Sequence, residues 1–166
     1  MIKKIKQTKS EKGLIIFISL LAIFSFIFVF TIKNKCLFVK NNDPSKIFFE
    51  NRNNIAILNA ECGNVIIELY PDISPNTVKR FKELIKEKKY DQVAFHRVIK
   101  NTLVQGGDLE FGRKNNLNYT YLGTGSSGLG LLNTEISRTF NFTKGTIGFA
   151  RTSKKNTEDS QFFILL

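Results

Sequence analysis

Histidine and cysteine are nearly absent from this chain: 166 residues contain 1 His, His96, and 2 Cys, Cys36 and Cys62. So few ligands cannot close a four-ligand Cys/His zinc site, and two cysteines cannot staple a disulfide-rich scaffold. Structural-zinc and disulfide-framework classes are excluded. The phosphate-cradling pattern Gly-x-x-x-x-Gly-Lys-Ser/Thr is missing, as are a Gly-x-Ser-x-Gly nucleophile elbow and any internal repeat. Acidic residues are the scarcer charge, 14 Asp+Glu against 25 Lys+Arg, for a net charge of +11. That excess would suit nucleic acid if it lay on the folded part. It does not: residues 1–52 hold 10 basic and 3 acidic side chains, residues 53–166 hold 15 and 11. A nucleic-acid partner is therefore not expected, and the remaining charges read as a solvated surface.

What is present instead is a long apolar run. Residues 14–32 (LIIFISLLAIFSFIFVFTI) carry no charge. At about 1.5 Å per residue a helix of that length crosses roughly 30 Å of hydrocarbon. Ser19, Ser25 and Thr31 can bond back to helix carbonyls and do not oppose insertion. The rival reading is a cleaved signal peptide, which needs a shorter apolar core and small residues at its cut site. FVFTIKNKC offers no such pair, and Asn34 and Lys35 stand where a lipidated Cys36 would need small residues. An uncleaved anchor over residues 13–32 is expected, in contact with the lipid bilayer. Lys3, Lys4, Lys6, Lys9 and Lys12 before the span outnumber Lys33, Lys35 and Lys40 after it, which places a basic tail, residues 1–12, in the cytoplasm. Residues 33–52 show no sustained period and read as a tether. The remainder, residues 53–166, would face a periplasm or a secretory lumen.

From residue 53 the pattern is that of a folded domain. Ile55 and Ile57, then Val65, Ile67 and Leu69, alternate on either side of Glu61-Cys62-Gly63-Asn64, predicting a hairpin. Ser74 before Pro75 predicts a helix start, with Val78, Phe81, Leu84 and Ile85 forming an apolar stripe up to residue 88. Residues 93–98, 103–105, 146–150 and 161–165 predict short strands. Residues 106–133 form a Gly- and Asn-rich stretch without period, long enough to be functional or disordered. Short strands with one amphipathic helix give a mainly β fold with helical cover, a barrel or sandwich. Cys62 falls in a turn and Cys36 beside the membrane, and free thiols are the expectation.

Several motifs fail on context. Gly123-Thr124-Gly125-Ser126-Ser127-Gly128 fits a dinucleotide fingerprint, but no apolar strand leads in and the residues behind it start a helix poorly, so a mobile surface loop is expected. His96 alternates with Phe95 on a strand, where a packed histidine is the simpler reading than a triad base. Asp108 and Glu110 could be paired carboxylates, yet one follows Gly106-Gly107 in a turn, where acceptors commonly bond backbone amides.

What remains is a constellation: FHRVI (95–99), VQGGD (104–108), GTIGFART (145–152) and SQFFI (160–164). In this order and spacing it resembles the cyclophilin family of peptidyl-prolyl cis-trans isomerases, in a form closer to bacterial members. The segment VIIELYPDISPNTVKRFKELIKEKKYD looks like the family's second strand and first helix, so the likeness runs from about residue 53 to residue 166. The resemblance implies an antiparallel β-barrel. The family continues beyond the position of residue 166 with a loop carrying an aromatic and often a His at the pocket rim, then further strands and a helix. A barrel incomplete at its C-terminus is thus expected.

The resemblance also implies roles. Arg97 matches the arginine that assists rotation about the prolyl amide, and Gln105 the amide that bonds substrate backbone. Phe163 matches the ring at the floor of the proline pocket, and Leu103 replaces the family's usual Met with similar apolar volume. Ala150 and Arg151 match the segment running beside the peptide. Thr102 stands where the family has a Phe, which removes apolar area from the pocket. No metal or cofactor is implied. Proline-containing polypeptides are the implied partners, and a cyclic-peptide inhibitor is a ligand that the resemblance admits. Two functions remain: an anchored isomerase that assists folding, or an impaired peptide-binding module or inactive truncated fragment.

Overall fold

The structure is a computed structural model, and it describes residues 8–33, 36, 43–137 and 139–166. The chain divides into two units. The first comprises the described residues of Met1–Phe48 together with Ile57–Ile66; the second comprises Phe49–Ala56 and Ile67–Leu166.

In the first unit, helix α1 (Lys9–Lys33) contains the uncharged run. It is one helix long and apolar enough to cross a membrane, and none of that window is buried. A helix that is apolar all round has no solvent face, so a protein core or a bilayer must cover it. Ser19 Oγ donates to Ile15 O and Thr31 Oγ1 to Phe28 O, both at 2.8 Å, as the sequence reading expects. The helix begins four residues before the expected span. Thr8 and Glu11 form a reciprocal capping box: Thr8 N–H donates to Glu11 Oε2 at 2.8 Å, and Glu11 N–H to Thr8 Oγ1 at 3.3 Å. Most of the expected tail, residues 1–7, and the tether residues 34, 35 and 37–42 lie outside the described residues. The described tether residues include a 3-10 turn at Pro44–Lys46, opened by Asp43, whose carboxylate accepts from Ser45, and the start of a second at Arg52–Asn54.

Strands β1 (Ile55–Ala60) and β2 (Gly63–Glu68) make the expected hairpin as a two-stranded sheet of their own. Its turn residue Cys62 is disulfide-bonded to Cys36, with Cα atoms 4.9 Å apart. The expectation of free thiols is thereby corrected. Nothing in the sequence spacing marks a bond between a residue just after α1 and a turn 26 positions away.

In the second unit, helix α2 (Pro75–Lys86) turns Val78, Phe81 and Leu84 inward, each under one-tenth exposed, while Ile85 stays at the rim. Ser74 does not supply a side-chain cap. The helix start is held instead by Glu135, which accepts from Asn76 N–H at 3.0 Å, Asn76 Nδ2 at 2.8 Å and Thr77 N–H at 2.9 Å. A carboxylate facing several unpaired N–H groups satisfies both the orphan donors and the helix dipole.

Strands β3 (Arg97–Ile99), β4 (Leu103–Gly106), β5 (Ile147–Phe149) and β6 (Phe162–Leu165) form a four-stranded antiparallel sheet in the order β3-β4-β6-β5. Its inner face carries Phe149 and Phe162, which meet Phe81 of α2 at ring-centroid distances of 6.0 and 5.7 Å. Tyr90 and Phe95 complete the cluster at 5.5 and 6.1 Å from Phe162. Burial pushes the Tyr90 phenol pKa up, and its hydroxyl stays protonated to donate to Ser160 O at 2.7 Å. The expected barrel is not closed: among the described residues no pairing joins the hairpin to the four-stranded sheet. Small closed barrels take about eight tilted strands, and four strands of three or four residues cannot curve back on themselves. The strand expected over residues 93–98 is also shorter, because Val93 makes only an isolated bridge to Arg113.

Candidate active site

The outer face of the sheet is set by register. Arg97 pairs with Gln105, Gln105 with Phe163, and Phe163 with Gly148, so one row crosses all four strands. Because successive side chains alternate between faces, the row lies opposite Phe149 and Phe162, and Leu103 shares its face two positions along. Arg97, Leu103, Gln105 and Phe163, expected from scattered motifs, are thus brought together. Gly148 is glycine for a reason of space: a Cβ there would sit 3.0 Å from Phe163 Cζ and 3.1 Å from Phe142 Cε1. Phe142 stacks at a tilt on Phe163 with centroids 5.8 Å apart. No sequence pattern marked Phe142, which lies in a polar stretch.

The other expected residues lie at the ends of these strands. Thr102 is exposed in the β3–β4 turn and directs its hydroxyl to Lys100 O at 3.3 Å. Ala150 follows β5 and commits its N–H to Gln161 O at 2.7 Å. Arg151 is exposed; its guanidinium donates to Thr152 O at 3.0 Å and reaches Glu158 at 3.7 Å, so its side chain is folded onto its own loop.

A hydrogen-bonded chain fixes the polar half of the row. Arg97 Nη1 donates to Gln105 Oε1 at 3.2 Å, and Gln105 Nε2 donates to Gln161 Oε1 at 3.1 Å. Gln161 Nε2 in turn donates to Gly123 O and Gly125 O, both at 3.0 Å. That glycine loop is held from beneath by Asp108, which is fully buried and accepts from the N–H groups of Gly123 at 2.7 Å and Gly125 at 3.2 Å. Its other oxygen accepts from Glu110 at 3.1 Å and Phe111 at 2.8 Å. The expected mobile surface loop is therefore pinned at two residues, and Asp108 is an acceptor for backbone amides, as its turn position implies. Desolvation pushes the Asp108 pKa up, but the four amide donors outweigh it and hold the carboxyl below its ordinary value. Gln161 was missed as a site residue although it stands two positions before Phe163, the spacing that shares a face.

His96 lies between these groups, half-buried, with Gly123 packed against its ring. Desolvation is the main cause that lowers its pKa, and the Arg97 charge acts in the same sense, against the nearby Asp108 carboxylate. A neutral, packed imidazole agrees with the structural reading of this residue.

A second anchor lies under the same loop system. Arg80 of α2 is buried and ion-paired with Asp159, and it donates to Gly130 O at 2.9 Å and Leu129 O at 3.2 Å. Asp159 also accepts from Ser127 N–H and Oγ.

Comparison with known proteins places this arrangement. Residues 55–166 match the family described as cyclophilin type peptidyl-prolyl cis-trans isomerase/CLD, and the chain belongs to that family. A probable peptidyl-prolyl cis-trans isomerase of Brucella suis is 41% identical over 113 residues, which cover 68% of this chain and 57% of the relative. A peptidyl-prolyl cis-trans isomerase of Acinetobacter baylyi is 35% identical over 112 residues, 68% of this chain and 54% of the relative. The chain thus spans little more than half the length of these curated relatives. Among solved structures, a cyclophilin type peptidyl-prolyl cis-trans isomerase of Cryptosporidium parvum, determined in the presence of the dipeptide Ala-Pro, superposes with a TM-score of 0.52 at 29% identity. That match covers 62% of this chain and 61% of the other. A cyclophilin from Hirschia baltica shares the fold at a TM-score of 0.51 and 22% identity, covering 68% of this chain and 57% of the other.

Proposed function

We propose that this chain is a membrane-anchored peptidyl-prolyl cis-trans isomerase acting on X-Pro bonds of extended polypeptides outside the cytoplasm. The observation that carries the reading is the row Arg97–Gln105–Phe163, which sets a cation, an amide and an aromatic ring on adjacent strands along one sheet face.

The chemistry needs no nucleophile. Amide resonance creates the barrier of roughly 18–20 kcal/mol, and rotation removes that resonance. As the bond twists, the prolyl nitrogen becomes pyramidal and regains a lone pair. A catalyst must favour that geometry over both planar isomers. Arg97 supplies a guanidinium N–H toward the nitrogen, and its planar fork presents several donors at once. Gln105 takes one of the guanidinium donors and leaves others for substrate. Its own orientation is set by Gln161, so its oxygen faces Arg97 and its nitrogen faces away. Phe163 and Leu103 offer apolar surface to the proline ring. Ala150 and Arg151 border the peptide through backbone groups. The dipeptide Ala-Pro accompanying the Cryptosporidium protein is of the proposed substrate class, and a cyclic peptide would compete for the same row.

Anchoring rests on α1, and the basic tail before it supports a cytoplasmic N-terminus. The Cys36–Cys62 bond supports an oxidising compartment for the remainder. A second reading, a peptide-binding module that has lost turnover, is favoured by exposed Thr102, whose hydroxyl is directed into its own turn. Exchange spectroscopy on an Ala-Pro peptide with the full chain in detergent micelles separates the two. Accelerated cis-trans exchange supports the enzyme; binding without acceleration supports the module and excludes the enzyme.

A further inference from the structure

The cysteines serve neither the sheet row nor the core, and they are joined. Cys36 stands three positions beyond the last residue of α1, and Cys62 occupies the turn immediately before β2. The bond therefore creates a second covalent route from the anchor helix to the folded domain. Along the chain, residues 34–54 separate α1 from β1, and 21 such residues reach at most about 70 Å when extended. Through the disulfide only residues 34–36 intervene, roughly 10 Å at full extension, followed by a Cα–Cα step of 4.9 Å. Both half-cystines are partly exposed, so a thiol can reach them.

We propose that Cys36–Cys62 is a redox-set leash: oxidised, it confines the domain close to the bilayer that holds α1, and reduced, it releases the longer tether. The proposal rests on the anchoring part of the function proposed above. The exchange partner is a dithiol, such as a dithiol–disulfide oxidoreductase. One of its thiolates attacks a sulfur of the Cys36–Cys62 bond, which breaks as a mixed disulfide forms. Its second thiolate attacks that mixed disulfide. The partner leaves oxidised by two electrons, and Cys36 and Cys62 take up those electrons and two protons as thiols. The reverse sequence sets the leash again. The oxidised form would serve polypeptides at the membrane surface, the reduced form those several nanometres away.

The test uses the full chain in sealed vesicles with the domain outside. A glutamyl endopeptidase has sites at Glu50 and Glu61 within the disulfide-closed loop and none between α1 and Cys36. After nicking there, the domain fragment should sediment with the vesicles and should be released at least tenfold more by dithiothreitol; Cys62→Ser should be released without it. A dye ligated to the C-terminus should transfer energy to acceptor lipids, and the transfer should fall at least twofold when the intact wild-type chain is reduced. A nicked domain shed without reductant, or transfer unchanged by reduction, overturns the leash while the uncut chain remains in the membrane. An uncut chain extracted by alkaline carbonate overturns the anchor and the leash together.

Discussion

Gln105 stands directly opposite Arg97 in the β3–β4 register and accepts a hydrogen bond from its guanidinium at 3.2 Å. The same amide donates to Gln161 at 3.1 Å, so both of its ends are committed and it cannot flip without losing both bonds. Arg97 is exposed, and an exposed arginine on a strand ordinarily samples many rotamers. Here its direction is inherited from a buried carboxylate, Asp108, through the glycine loop and two glutamines.

Removing the middle of this chain should slow turnover without unfolding the domain. Gln105→Leu keeps the volume but deletes both hydrogen bonds, each worth about 1 kcal/mol. A fall of roughly tenfold in kcat/KM is expected, read by exchange spectroscopy on a proline peptide, with a cooperative thermal transition retained at a midpoint lower by several degrees.

Asp108→Asn should act on stability and on its pH dependence. One carboxylate oxygen becomes an amide donor facing backbone N–H groups, a loss of about 2–3 kcal/mol. The folded pKa of Asp108 is lowered, so its contribution is complete above the ordinary carboxylate value near 4 and is lost as pH falls through the lowered value. Thermal unfolding of the wild type should therefore lose stability toward pH 3. The variant, already less stable at pH 7, should show a shallower acid loss.

Glu135→Ala should destabilise α2 by about 1–2 kcal/mol, because Asn76 and Thr77 lose a shared acceptor. Urea unfolding at pH 7 reads this as a lower midpoint. Ser74→Ala, at the sequence-expected cap, should change it by only a few tenths of a kcal/mol.

Thr102→Phe should tighten peptide binding. It restores apolar area at the turn beside Leu103, and partial burial of the ring is worth about 1 kcal/mol. A roughly fivefold lower Kd for a proline peptide is expected by titration, with the Arg97-dependent step unaltered.

The strands, the hairpin and α2 were legible because each has its own period: Ile55 and Ile57 alternate, and Val78, Phe81 and Leu84 recur at helical spacing. The row Arg97–Gln105–Phe163 was reached through motif resemblance, and only the register shows that one face holds all three. The unread features are those made by partners far apart in sequence. Glu135 caps a helix 59 positions before it, Cys36 bonds a turn 26 positions later, and Arg80 pairs with Asp159 beneath the loop. Local pattern carries no signal for such pairs. The barrel was expected from family likeness, and the described pairings leave two separate sheets.

The proposed stabilisation of the twisted prolyl amide by Arg97 is read from the rate of peptide exchange catalysed by Arg97→Ala. Loss of a transition-state donor of this kind costs about two orders of magnitude in rate, so exchange should fall roughly 100-fold while peptide Kd stays within a few-fold of wild type. Exchange at the wild-type rate with Arg97 absent would contradict the account.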